Sequence, residues 1–413
     1  MDFNDPVGNR DALTGELTID TIFWPDYMKK ITDHFMLEHP DVKVNIRSSE
    51  QVFHNIAELG EMTDAMLTEL MSGGGADIYS IEMISAYRYA DSGLFEDLYT
   101  YMKGDPSFSL EDYYTNILCE YEYKGQLFWL PQAFTYYLFL MNMEVVDGLS
   151  IELLEGMSYT DIKNIYDRAM ESNLLNETSV LDQSPLSEIA FNEYENGIYL
   201  DTDAMTASLD SEGFVRFLKD RKALPFTDRG GGIIPPTEPF EFVGAESLIH
   251  MLRATFLDWD FISASSVAAS KPIILLSSDG KNTFSGIGIN MAISSASEKK
   301  DLAWEFLKFL IGEKQYEFQE KQSPSYFENF PYYYAMPINR KNFMKLADYY
   351  AHGDKGFISS MDAINRSLNK KSFYDVQLDM ALSHILEDYN KDLISAEECA
   401  RQMQDRAYIF FNE

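Results

Sequence analysis

The stretch Gly286-Ile-Gly-Ile-Asn-Met-Ala-Ile-Ser-Ser-Ala-Ser-Glu-Lys-Lys-Asp-Leu-Ala-Trp-Glu-Phe-Leu-Lys-Phe-Leu310 changes its hydrophobic period part-way along. Ile287, Ile289, Met291 and Ile293 alternate with small or polar residues, the period of a strand with one buried face. Ser295 and Glu298 then stand at capping-box spacing, which predicts a helix start. Leu302, Ala303, Phe306, Leu307 and Leu310 follow at three- and four-residue spacing, and Gly312 supplies a stop.

The same change of period recurs through the chain. Leu17–Phe23 reads as a strand broken by Trp24-Pro25-Asp26. Residues 27–39 read as a helix with Tyr27, Ile31 and Phe35 on one face, ended by Pro40. Val42–Ile46 alternates as the next strand, so this unit reads as strand, helix and parallel strand. Leu59, Met62, Met66, Leu67 and Leu70 share a second helical face, closed by Gly73-Gly74-Gly75 before the strand Asp77–Ile81. That glycine triplet ends a helix rather than opening one, so it reads as a cap and turn, not a phosphate cradle. Gly125–Pro131 reads as a strand, and Thr135–Met141 as a buried central strand. Residues 144–261 read as mostly helical, interrupted by the Gly/Pro-rich loop 228–237. A last helix begins at Ser395/Glu398 and places Cys399, Ala400, Met403, Ala407 and Phe410 on one face. Alternating strands and helices predict α/β architecture with mainly parallel sheets.

Several of these segments carry a family likeness. Ser297–Leu310 resembles the "K-x-x-A-W-E-F-L-K-F-L" helix of the extracellular solute-binding proteins of bacterial ABC importers, in their carbohydrate-binding branch. His39–Val44, Leu70–Ile78, Ser92–Leu98, Leu130-Pro131 with Asn142, Met336–Arg340 and Ser395–Arg406 fit the same family in the same order. The resemblance implies a two-lobe periplasmic-binding-protein-like fold, with a ligand cleft between lobes and hinge crossings. It places lobe one at 17–141 plus 286–321, and lobe two at 142–285 plus 322–413. It also implies export, with a lipid anchor on a Cys at the mature N-terminus of a full-length precursor. Met1-Asp-Phe-Asn-Asp5 has neither that Cys nor the basic and apolar regions of a signal peptide.

Composition narrows the function. With 413 residues, two or three domains are expected at about 150 residues each. A formal charge of −34 repels phosphate backbones and anionic lipids, which argues against nucleic-acid and membrane-surface partners. Cys119 and Cys399 read as two buried free thiols, with one long-range disulfide as the alternative. The six histidines form no zinc pattern, and no cofactor is implied.

The 28 Phe, 26 Tyr and 4 Trp suit a sugar ligand, because aromatic faces stack on sugar C–H faces while polar side chains satisfy the hydroxyl rim. Trp24 follows the first strand, and carboxyl ends of strands line ligand crevices in open α/β sheets. Glu82 follows Asp77–Ile81, and Gln132 follows Leu130-Pro131; the resemblance places ligand contacts at both positions. Asp258-Trp259-Asp260 sets a ring between two carboxylates, and the resemblance puts a Trp of lobe two near here. The competing reading for the two tryptophans is core packing, and for the acids a solvated surface. Tyr332-Tyr333-Tyr334 is a weaker candidate.

These readings converge on a protein that captures a sugar or oligosaccharide and presents it, unchanged, to the membrane subunits of an ABC importer. The resemblance implies a monomer. One rival is a secreted glycoside-active enzyme, since Asp258 and Asp260 would share a face in a strand. Another is a binding protein for a peptide, polyamine or metal chelate.

Overall fold

The computed structural model describes residues 13–21, 25–48, 56–81, 89–154, 156–175, 196–201, 204–223, 248–253, 270–277, 279–286, 289–314, 335–372 and 375–412. The chain divides into two units. The first holds Met1–Phe108, Gln126–Leu130 and Ile289–Asn329; the second holds Ser109–Gly125, Pro131–Gly288 and Phe330–Glu413.

The first unit is built on a five-stranded sheet in the order Val42–Ser48, Gly15–Thr21, Ile78–Ser80, Asn290–Ile293, Leu130–Pro131. Gly15–Thr21 pairs in parallel with both of its neighbours. The helix Pro25–Glu38 makes the first crossover. Pro25 opens it, where a missing N–H and a preset φ cost nothing. Tyr27, Ile31 and Phe35 are buried, as their spacing predicts. Phe35 meets Phe306 and Phe309 edge-to-face, each at 5.3 Å between ring centroids, and so joins this helix to Lys300–Ile311. Burying a ring of this size contributes about 2 kcal/mol. Beyond the helix Ile56–Met71, Gly73 and Gly75 take φ of +75° and +95° and turn the chain into Ile78–Ser80, so the triplet is a cap.

The opening stretch of the sequence is corrected in two respects. Asn290–Ile293 runs antiparallel to Ile78–Ser80, and all four of its residues are buried. It lies inside the sheet between Ile78–Ser80 and Leu130–Pro131, and neither set of its alternating side chains faces water. The helix begins at Lys300 with Lys299 as its N-cap, and the Ser295/Glu298 box does not form. Tertiary acceptors win the serines instead. Ser295 Oγ donates to the Gly93 carbonyl (2.6 Å), and Ser297 Oγ donates to Asp77 (2.6 Å) while accepting from the Lys299 N–H (3.0 Å).

The second unit has a four-stranded sheet in the order Ile249–Arg253, Tyr137–Asn142, Ser270–Leu275, Gly156–Met157. Tyr137–Asn142 is antiparallel to both neighbours, and only the last pair is parallel. The sheets are therefore mixed rather than mainly parallel. The strand foreseen at 135–141 exists and is central, and its pairing puts it in the second unit. One crossing between the units falls at Leu130/Pro131. Residues 109–125 also belong here. Tyr114 donates to Asp362 (2.9 Å), and Asn116 donates to the carbonyls of Asn365 (2.9 Å) and Leu368 (2.8 Å). The expected crossing at 321/322 lies outside the described residues. Of the strand read at 125–131, only Leu130–Pro131 is regular.

Ser158 and Asp161 form a reciprocal capping box on the helix Tyr159–Glu171. At the last helix, Ala396–Asn412, Ser395 Oγ accepts from the Glu398 N–H (3.1 Å), whereas the Glu398 carboxylate turns to Arg401 and Gln402. Cys399, Ala400, Met403 and Ala407 are buried as predicted, with Phe411 buried in place of Phe410. Both cysteines are free thiols. Cys399 is buried, but Cys119 is exposed, contrary to the expectation of two buried thiols.

Candidate functional site

In the first unit, the parallel strands bring their carboxyl ends to one edge of the sheet. The register sets Asp20 beside Arg47 on one side and Tyr79 on the other. Thr21 and Ile81, the last described residues before Trp24 and Glu82, are both buried. The chain therefore reaches both candidate positions from neighbouring strands. Trp24 and Glu82 themselves, together with Asp258, Trp259 and Asp260, lie outside the described residues, as do Tyr332 to Tyr334.

Three charged side chains meet on this edge. The Arg47 guanidinium lies 3.5 Å from the Asp20 carboxylate and grips Glu69 with two parallel hydrogen bonds. Glu69 comes from the last turn of Ile56–Met71. Burial pushes the Asp20 carboxyl above its ordinary value, against the pull of Arg47. Hydrogen bonding to Glu69 raises Arg47, and the same bonds lower Glu69. Asp20 thus offers an acceptor and Arg47 a donor fixed in direction by Glu69, a pairing suited to hydroxyl groups. Sequence reasoning passed over this trio. The available signal was that Asp20 and Arg47 each stand one residue before the end of adjacent parallel strands.

Gln132 is the one predicted site residue within the described set. It lies in the second unit between Leu130–Pro131 and Ala133–Phe134, with 1% of its surface exposed. Its carbonyl accepts from the Ile338 N–H (3.1 Å), and Ala133–Phe134 pairs antiparallel with Met336–Pro337. The backbone on both sides is therefore held, and the amide side chain is buried. In the same unit, Asp362 accepts from Tyr114 and from Arg340, the latter through two bonds of 3.0 Å. Asn365 accepts from Tyr136 (2.8 Å) and donates to Tyr114 (3.3 Å). Burial keeps both phenols far above their ordinary pKa. This network ties the segment 109–125 to the helix Lys355–Ser367.

Among the described residues, no group of three or more His, Cys, Asp or Glu is placed to hold a metal ion, and no helix is long and apolar enough to cross a membrane.

No protein-family model and no curated protein matches the chain by sequence. Solved structures do match by fold. The sugar-binding protein MalE of Xanthomonas citri aligns over 96% of this chain and 98% of its own, with a TM-score of 0.67 at 11% identity. An ABC substrate-binding protein of Listeria monocytogenes, in complex with cycloalternan, aligns over 97% and 100%, with a TM-score of 0.61 at 14% identity. The cyclic alpha-maltosyl-1,6-maltose binding protein of Arthrobacter globiformis aligns over 97% and 99%, with a TM-score of 0.59 at 11% identity. The chain is similar in fold to these binding proteins. This solute-binding fold spans essentially its whole length, and the neighbours named are binding proteins rather than enzymes.

Proposed function

We propose that the protein is the extracellular sugar-capturing component of an ABC importer, which takes up a sugar or oligosaccharide and releases it unchanged to the importer's membrane subunits. The observation that carries this reading is the whole-length fold match to a sugar-binding protein and to proteins that bind cycloalternan and cyclic alpha-maltosyl-1,6-maltose. The acidic, aromatic-rich composition supports it. The ligand contacts proposed are Trp24, Glu82, Gln132, Asp258, Trp259 and Asp260, with Asp20 and Arg47 as polar neighbours of the first two. In this reading the two units are the two lobes, and the ligand acts by binding one arrangement of them better than another. The protein works as a monomer outside the cell, anchored by lipid in its full-length precursor.

The test is a thermal-shift screen over linear and cyclic maltooligosaccharides, other oligosaccharides and polyamines. A cognate sugar at 100 times its Kd stabilises the native state by about 2.7 kcal/mol, which raises Tm by about 3 °C. Mass spectrometry should recover that sugar intact. A shift with a polyamine and none with any sugar moves the ligand to another class. Turnover of the sugar overturns the binding reading.

A further inference from the structure

The buried amide of Asn365, on the helix Lys355–Ser367, joins two tyrosines from separate parts of the second unit. Its Oδ1 accepts from the Tyr136 hydroxyl (2.8 Å), and its Nδ2 donates to the Tyr114 hydroxyl (3.3 Å). Tyr114 in turn donates to Asp362 (2.9 Å), where Arg340 donates as well. The order of donors therefore runs from Tyr136 through Asn365 and Tyr114 to a carboxylate. Each hydroxyl has one proton to give, so the group between them must accept at one end and donate at the other. Aspartate in its place would leave the Tyr114 oxygen without a donor and compete with Asp362 for the Tyr114 proton.

Both tyrosines stand against the backbone that carries Gln132. Tyr136 follows Gln132 in the same stretch, and Phe134 between them stacks on its ring, 6.4 Å between centroids. Tyr114 meets Phe134 edge-on at 5.7 Å. The Tyr114 N–H donates to the Ile338 carbonyl (3.1 Å), and the Ile338 N–H donates to the Gln132 carbonyl (3.1 Å). Ile338 is thus held between Gln132 on one side and Tyr114 on the other. A buried side chain in a packed interior has little freedom of its own, so the direction of the Gln132 amide follows this backbone.

We propose that Asn365 is a positioning residue for the ligand contact at Gln132, acting through Tyr136 and Tyr114; the inference rests on reading Gln132 as such a contact. A polar group gains most from a ligand hydroxyl when it is already aimed, because no side chain then has to be ordered on binding. Without the Asn365 amide, two phenols withdrawn from water each lose a partner, and the segments that carry them are no longer tied to one helix.

The experiment measures hydrogen exchange and affinity on the full chain. Without ligand, Asn365→Ala should speed exchange of the Ile338 and Tyr114 amide protons by about tenfold more than that of Phe139 and Leu140, in the central strand of the same unit. Ser158→Ala, at a distant cap, should not separate the two groups. With maltotetraose, or whichever oligosaccharide of the screen raises Tm, as the probe, Asn365→Ala should weaken binding about tenfold. In a Gln132→Ala background the same substitution should change Kd by less than about twofold. Equal exchange gains in both groups of amides, or a loss of affinity that persists in full without the Gln132 side chain, overturns the proposal. So does binding that Gln132→Ala leaves unchanged. A wild type that binds no oligosaccharide overturns the proposed function instead, and the exchange comparison still decides whether Asn365 holds this backbone. If Asn365→Ala does not fold, Tyr136→Phe, which keeps the ring, should show smaller effects of the same kind, and their absence overturns the proposal.

Discussion

Two half-buried lysines, one in each unit, show how differently a charge can be accommodated. Lys308 in the first unit meets Asp105 (2.5 Å), Glu305 (2.8 Å) and Ser107 (3.1 Å), so each of its three donors has an acceptor. Trp304 Nε1 donates to the same Asp105 (3.2 Å). Burial works to raise Asp105, but these hydrogen bonds prevail and hold its carboxyl well below the ordinary carboxylate range. Lys371 in the second unit meets a ring face and, among the described residues, no acceptor. The difference teaches that burial alone does not determine how much a charge costs. What decides is whether its donors are satisfied when water leaves.

The largest effect should come from breaking the satisfied pair. Lys308→Met strands Asp105 in a half-dry site and should cost about 3 kcal/mol by chemical denaturation at neutral pH. The Asp105 carboxyl also sets an acid limit. Its folded value lies below its unfolded value, so its contribution is complete above about pH 4 and is lost as pH falls further. Asp105→Asn should therefore show a shallower loss of stability between pH 4 and pH 2 than the wild type. If the two profiles run parallel, Asp105 is not the group responsible.

Next in size is Asn365→Ala, which removes the acceptor of the Tyr136 hydroxyl and a donor to Tyr114 in the buried network of the second unit. It should cost about 2 kcal/mol, and an effect below about 0.5 kcal/mol would mean that the network relaxes onto other partners. Gly286→Ala should cost about 1 to 2 kcal/mol, because its Cβ collides with the Tyr121 hydroxyl. Tyr121→Phe removes that oxygen and should recover part of the loss, which a double-mutant cycle reads as coupling. Independent, additive effects would separate Gly286 from Tyr121. The smallest effect is Ser158→Ala at the reciprocal cap of Tyr159–Glu171, about 1 kcal/mol; a larger value would show that the cap also holds tertiary structure.

The regular elements were largely legible in the sequence. Tyr27, Ile31 and Phe35 lie on one buried helical face, and Leu302, Phe306 and Leu310 on another, because packing followed the period of the chain. What escaped were the long-range choices. Nothing local distinguishes a Ser295/Glu298 cap from serines claimed by Gly93 and Asp77, which lie about two hundred residues earlier. The antiparallel sense of Asn290–Ile293 is likewise a property of topology rather than of period. At the candidate site, reading to the ends of strands pointed to Trp24 and Glu82, which lie outside the described residues. It missed Asp20, Arg47 and Glu69, whose meeting depends on strand register.

The placement of Asn290–Ile293 between Ile78–Ser80 and Leu130–Pro131 has a consequence for how the nascent chain matures. On a ribosome adding 5–20 residues per second, the hydrophobic edge of Ile78–Ser80 is complete roughly 10 to 40 s before the strand that covers it has been made. Through that interval the amino-terminal third cannot finish its own sheet. The sheet stays incomplete until its last strand emerges.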